Sequence, residues 1–361
     1  MSKISEYNLK LLLEGIGRYS SRMAGYYEHR QSYTFIKNQL SEYINVEFYE
    51  EDRTIDSWLC EYSSLYYESE HLEIEHYPLV MSPSGGALAD LITIYPYYSL
   101  DNVSGKIALA FCNSTKVRNR LYSKIHDKGG LAVIFASTTP GFYVRITRLD
   151  GHNIPAMATT LEQGLSMARK GGKVYVYQET STPPSRVVDI ITRIYGRLDD
   201  EVLLYSHYDS IPYSGGAMDN AAGTAILLEL IRILKNKHPR MTLRFHISGW
   251  GELGGFKTAK KDSDRLRIIV DSIGLFYTKL SILVSSGMDE NILRLLSEIA
   301  REFRIDLREC KLKDRVVIVT DRHNIAVHTP EDTINKVSPL KLRYACTILY
   351  ALIKKLNEIN F

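Results

Sequence analysis

Long apolar runs are missing from this chain of 361 residues. No stretch approaches the roughly 18 consecutive apolar residues that a membrane-crossing helix requires. Cysteine is scarce and scattered, at Cys60, Cys112, Cys310 and Cys346, with no CxxC pair. That spacing argues against a disulfide scaffold and against a cysteine-ligated zinc. Charge of one sign is also missing: the formal net charge is only +3. So mild a balance gives no reason to expect nucleic acid or an anionic membrane as partner. The first residues, MSKISEYNLKLLLEGIGRYSS, place Glu6 and Glu14 around a short apolar patch and show no small-residue cleavage site. They do not read as a secretory signal, and the expectation is a cytoplasmic protein.

Against these absences stands an ordinary globular composition, 45% apolar and 24% charged, in a chain long enough for two domains or one large one. Residues 5–43 read as helical, with a Gly- and Ser-rich break at GIGRYSSRMAG. Residues 60–180 change character. Short apolar runs such as KIALAFC, LAVIFAS and KVYVYQE alternate with Gly, Asn and Pro and read as strands, with one helix around Val117–Asp127. After Thr182-Pro183-Pro184 strands alternate with amphipathic helices. Strands are predicted at Val187–Tyr195, Val202–Ser206, Thr242–Ile247, Arg267–Val270, Leu280–Val284 and Val316–Thr320, and helices at Asn220–Lys235, Glu290–Phe303 and Pro339–Asn357. The pattern predicts an α/β fold with a mixed, largely parallel sheet flanked by helices. Residues 1–58 and 181–361 would form one domain, and 59–180 a β-rich insertion.

In such sheets sites gather beyond the carboxyl ends of the strands. His207 follows the strand VLLYS, with Asp209 two residues on; Asp219 precedes a helix in GGAMDN; Glu252 lies in GWGELGG after another strand; Asp271 ends RIIV; His328 sits in AVHTPEDT after VVIVT. Each has an ordinary alternative. Asp219-Asn220 is a good helix N-cap, and Pro330 suits a first helical turn. Trp250 reads as core. It is the recurrence of ligand-type residues on one edge that singles them out. Two imidazoles and three carboxylates suit borderline divalent metals.

HYDSIPYSGGAMDNAAG, GELGG, VDSIG and VHTPEDT together resemble the motifs of the family-28 zinc aminopeptidases, and VSGKIALAF, KGGLAVIF and IPAMATT resemble the protease-associated domain inserted in many of them. The resemblance implies the zinc-dependent exopeptidase fold and removal of N-terminal residues from peptides by a metal-held hydroxide. It also implies two zinc ions bridged by Asp219, with His207 and Asp271 completing one site, Glu252 and His328 the other, and Asp209 orienting His207. A homo-oligomer is compatible with it.

The sequence departs from the family in two places. The family's first glutamate of a Glu-Glu pair, its general base, falls on Gly251. Candidates for a substitute, by nearness in sequence, are His246, His323, Glu331 and Asp332. If only the base is lacking, Gly251→Glu is expected to raise activity at least about tenfold. The family's Ser-Asp-His-x-x-Phe stretch has no counterpart in RIDLRECKLKDR. The resulting expectation is a weak metal-dependent aminopeptidase. The competing readings are a silent homologue acting as a binding protein and a related transferase such as a glutaminyl cyclase.

Overall fold

The computed structural model describes residues 3–70, 73–94, 100–146, 149, 154–312, 315–321 and 324–358. The N-terminal helical region divides at the expected break into Glu6–Gly17 and Tyr27–Glu42. Ser5 caps the first helix by accepting the Asn8 N–H at 3.1 Å, and Leu9, Leu12, Leu13 and Ile16 form its buried stripe.

Eight strands form the larger sheet. Its order is Phe48–Asp56, Pro184–Ile194, Met241–Ser248, Leu198–His207, Asp264–Val270, Val316–Asp321, Leu280–Ser285 and Asp306–Cys310. The four strands from Met241–Ser248 to Val316–Asp321 run parallel, while Pro184–Ile194 and Leu280–Ser285 run antiparallel to their inner neighbours. The mixed, largely parallel character read from the sequence is correct. Alternate residues of the central strand Leu198–His207 serve opposite faces, as the period of two demands. Val202 and Leu204 join the main core with the helices Glu6–Gly17, Ala222–Leu234 and Pro339–Leu356; Leu203 and Tyr205 meet Ala259 and Phe256. The second face also buries charge. Arg244 donates to Glu201 at 2.7 Å and to Asp264 at 2.5 Å, so its buried charge is paired.

The second sheet has seven strands, ordered Leu59–Tyr67, Lys173–Ser181, Gly85–Ile94, Ile107–Phe111, Ala132–Ala136, Ala156–Thr159 and Tyr77–Pro78. It carries two helices, Thr115–Asp127 and Leu161–Lys170, where the sequence reading has only the first. The second is short and holds Gly164, which lowers its helical signal. Packing requires that glycine, because a Cβ there would lie 2.3 Å from the Ala136 Cβ. A further element absent from the sequence reading is the outermost strand Asp306–Cys310, whose LREC segment lacks an apolar period. The chain passes between the sheets twice, at 57–58 and 182–183, and Ser57 N–H donates to the Pro183 carbonyl at 3.1 Å. Met23, Trp58 and Ile211 are buried in one cluster with Leu79, Val144 and Ile146, so apolar packing is continuous from the large sheet's loops into the second.

Candidate metal centre

His207 ends the central strand and Asp271 follows the neighbouring one, so the parallel register sets them side by side. Asp219 lies in the loop that enters the helix Ala222–Leu234. Glu252 sits in the single turn Gly251–Leu253, three residues beyond the strand Met241–Ser248. His328 follows the strand Val316–Asp321 with φ of +61°, in the left-handed region that non-glycine residues rarely adopt.

The five predicted ligand residues come together in two overlapping groups, His207–Asp219–Asp271 and Asp219–Glu252–His328, each with ligand atoms within 4.8 Å of one another. Asp219 is common to both. Its Oδ1 lies 3.2 Å from His207 Nε2 and its Oδ2 lies 3.0 Å from His328 Nε2. Asp271 Oδ1 is 3.8 Å from His207 Nε2, and Glu252 Oε2 is 3.2 Å from His328 Nε2. The other Glu252 oxygen, Oε1, is buried without a hydrogen-bond partner. A buried, unpaired carboxylate oxygen facing a cluster of N and O donors fits a bound cation.

The electrostatics agree. Burial would lower the pKa values of His207 and His328, but the surrounding carboxylates reverse this and hold both well above the usual histidine range. Burial and the charge of Asp219 push Asp271 and Glu252 up. Asp219 is the exception: burial would raise it, yet the two imidazoles hold it well below the usual range. Without a cation, protons are drawn onto the groups that surround the bridging carboxylate.

Asp209 lies behind His207, as expected. Its Oδ1 is 3.2 Å from His207 Nδ1, and it also accepts the Gly251 N–H at 2.7 Å and, through Oδ2, the Glu252 N–H at 3.1 Å. One carboxylate therefore orients a ligand of each group.

Three supports are not visible as such in the sequence. The Asp332 carboxylate accepts the Met218 and Asp219 N–H groups at 2.7 and 3.2 Å, and burial raises its pKa to about 7. Arg22 is fully buried and donates to the carbonyls of Tyr208, Tyr19, Gly215 and Gly216, pinning the loop between His207 and Asp219; burial lowers its pKa to about 10. Asp189 accepts the Gly249 N–H at 2.9 Å and the Trp250 Nε1–H at 3.3 Å, anchoring the start of the Glu252 loop. Only fixed tertiary partners distinguish these residues from any other Asp or Arg.

Three of the proposed base substitutes are engaged with other partners. His246 is buried 3.1 Å from Asp189, Asp332 is committed to backbone N–H groups, and Glu331 pairs with Lys336. His323 lies outside the described residues. The expectation for Gly251 needs correction. A Cβ at Gly251 would lie 2.3 Å from His207 Cγ and 2.4 Å from His207 Cβ. The backbone here passes too close to a ligand residue for any side chain, so Gly251→Glu cannot simply reinstate a base. Trp250 is half-buried rather than core, with the Arg53 guanidinium 5.2 Å from its ring centroid.

Residues 189–326, which include four of the five clustered residues, match the profile of peptidase family M28. Over these residues the chain is similar to peptidase family M28. Aminopeptidase YwaD of Bacillus subtilis is 25% identical over 256 residues, covering 62% of this chain and 56% of that protein. A vacuolar membrane protease of Lachancea thermotolerans is 32% identical over 137 residues, 36% of this chain and 14% of that one. The chain thus spans about half the length of the first relative and far less of the second. Among solved structures, the zinc aminopeptidase BSAP of Bacillus subtilis superimposes with a TM-score of 0.79 at 19% identity, covering 98% of this chain and 95% of that one. A glutaminyl cyclase of Bacteroides thetaiotaomicron gives 0.52 at 10% identity, with 98% of each chain covered. At these identities the structural likenesses show the fold alone, across both sheets.

Proposed function

We propose that this protein is a zinc-dependent, aminopeptidase-like hydrolase that acts on peptides and holds two metal ions across Asp219. The observation that carries the proposal is the division of the Asp219 carboxylate between two imidazoles, each with a second carboxylate beside it. Two cations close together need a shared anion, and this arrangement supplies one. His207 and Asp271 would hold one ion and Glu252 and His328 the other. The five-residue set favours this over a one-metal transferase. Zinc bound there supplies Lewis acidity and lowers the pKa of a bound water.

The chain's own residues do the positioning. Asp209 fixes the His207 ring through Nδ1, leaving Nε2 toward the metal side, and holds the turn that presents Glu252. Asp332 and Arg22 fix the Asp219 loop from beneath. No carboxylate side chain occupies the position of Gly251, so proton transfer to the leaving amine lacks its usual agent. General acid–base catalysis contributes about 10²–10⁴-fold, and turnover is expected to be weak by that order. The same observation favours the second reading, a metal-loaded homologue that binds peptides without cleaving them.

Elemental analysis paired with a panel of aminoacyl-anilides tests the proposal. Two zinc ions per chain with chelator-sensitive hydrolysis is the expected result. Two ions with no turnover on any substrate moves the assignment to the binding reading. Fewer than one ion per chain refutes the ligand assignment.

A further inference from the structure

Among the described residues, the second sheet's loop reaches the candidate metal centre at Ile146. Ile146 N–H donates to the His328 carbonyl at 2.7 Å, holding the left-handed turn of that residue. The preceding side chain, Arg145, donates through Nη2 to the Asn324 carbonyl at 2.6 Å, and Arg118 donates to the Arg145 carbonyl at 2.6 Å. Asn324 in turn donates to the sulfur of Met218, next to Asp219. The Arg145 guanidinium therefore lies against the loop that carries His328, close enough to Asp219 to feel its charge. It is half-buried, and among the described residues no carboxylate pairs with it. Burial lowers its pKa, and the Asp219 charge is what opposes that.

A guanidinium offers five N–H donors in a planar fork that matches a carboxylate. Holding such a group partly out of water with one backbone acceptor is unfavourable unless a further acceptor arrives. Building on the hydrolase reading, we infer that Arg145 is a specificity residue that receives a carboxylate of the bound peptide beside the metal centre. Two sources share that chemistry: the C-terminus of a very short peptide, and an acidic side chain next to the scissile bond. Either way the second sheet contributes recognition that the metal-ligand loops lack.

Steady-state kinetics on the zinc-loaded protein test this with paired substrates, Leu-Gly against Leu-Gly amide and Leu-Asp amide against Leu-Asn amide. The charged member of one pair should show a KM about 10–100-fold lower, the worth of a charge-assisted hydrogen bond. Preference within the first pair assigns the C-terminus; preference within the second assigns the side chain. Arg145→Gln should abolish that preference by raising the KM of the charged substrate about 10–100-fold more than that of the neutral one, and Arg145→Lys should restore part of it. Equal KM values in both pairs, or an equal loss for charged and neutral substrates in Arg145→Gln, would overturn the inference. The latter result would make Arg145 a structural support for the His328 turn.

If nothing is hydrolysed, the hydrolase reading fails separately. The same pairs with CH2–NH in place of the scissile amide are then titrated by calorimetry. A charged-ligand preference lost in Arg145→Gln sustains the inference, and its absence in the wild type overturns it.

Discussion

Adding a single methyl group at Gly251 should disable the metal centre. The alanine Cβ would lie 2.3, 2.4 and 2.7 Å from His207 Cγ, Cβ and Cδ2. Non-bonded carbons sit about 3.5–4.0 Å apart, so more than an ångström of overlap must be relieved. The turn cannot withdraw freely, because the Gly251 and Glu252 N–H groups are both bonded to Asp209. Each such bond to a charged group is worth about 1.5–3 kcal/mol. Moving His207 instead breaks its alignment with Asp209 and Asp219. Either path costs about 1–3 kcal/mol, the usual penalty of overpacking, and misplaces a ligand. Zinc affinity of Gly251→Ala, measured by competition with a chelator, should fall by about tenfold or more, since 1.4 kcal/mol is a factor of ten. The metal-free protein should melt a few degrees lower, by about 2–4 °C per kcal/mol for a domain of this size. Gly251→Glu should lower activity for the same reason. Wild-type zinc affinity and melting temperature in Gly251→Ala, or a tenfold rise in turnover in Gly251→Glu, would refute the packing argument.

Asp209→Asn should weaken zinc binding by about 10–100-fold, the usual cost of losing a partner that orients a ligand, and equilibrium dialysis would read it. Removing zinc by chelation should lower the unfolding free energy, by about 2.7 kcal/mol where free metal had stood at a hundred times its dissociation constant; a denaturation curve unchanged by chelator would contradict the site. Glu229 is fully buried and accepts from Ser5 N–H at 2.7 Å, from the Asn8 amide at 2.6 Å and from Arg232, so Glu229→Ala should cost about 3 kcal/mol in urea unfolding and release the first helix from its seat. Burial lowers the pKa of His29, whose Nε2 lies 2.7 Å from the Gly249 carbonyl. As pH falls below about 6.5 the unfolded chain binds this proton and the folded one resists it, so His29 contributes a loss of stability on acidification. The slope of unfolding free energy between pH 6.5 and 5, values set by the ordinary histidine range of about 6.5, should be shallower in His29→Gln than in the wild type, and identical slopes would show that His29 does not titrate differently in the two states.

Much was legible because it depends on local pattern. Apolar runs bounded by Gly and Pro marked the central strands, and stripes at helical spacing marked Glu290–Glu302 and Pro339–Leu356. Where the pattern was weak the reading missed elements: Leu161–Lys170 is interrupted by Gly164, and Asp306–Cys310 lies at the sheet edge with little apolar content. The candidate ligands were legible as strand-end residues, because a parallel sheet brings such positions to one edge.

The sequence by itself thus determined which residues could meet: the strand ends and the loops beyond them follow from chain order and periodicity. Only the tertiary structure decided how they meet. Asp219 turns one oxygen to each imidazole because Asp332 and Arg22 hold its loop from residues more than a hundred positions away. Gly251 reads in sequence as a lost base, whereas in space it is the only residue that fits against His207. Arg145 reads as one charge among many, and the hydrogen bond from Ile146 to His328 is what brings it to the metal centre. Such distinctions rest on close contacts between distant segments, and no local pattern encodes them.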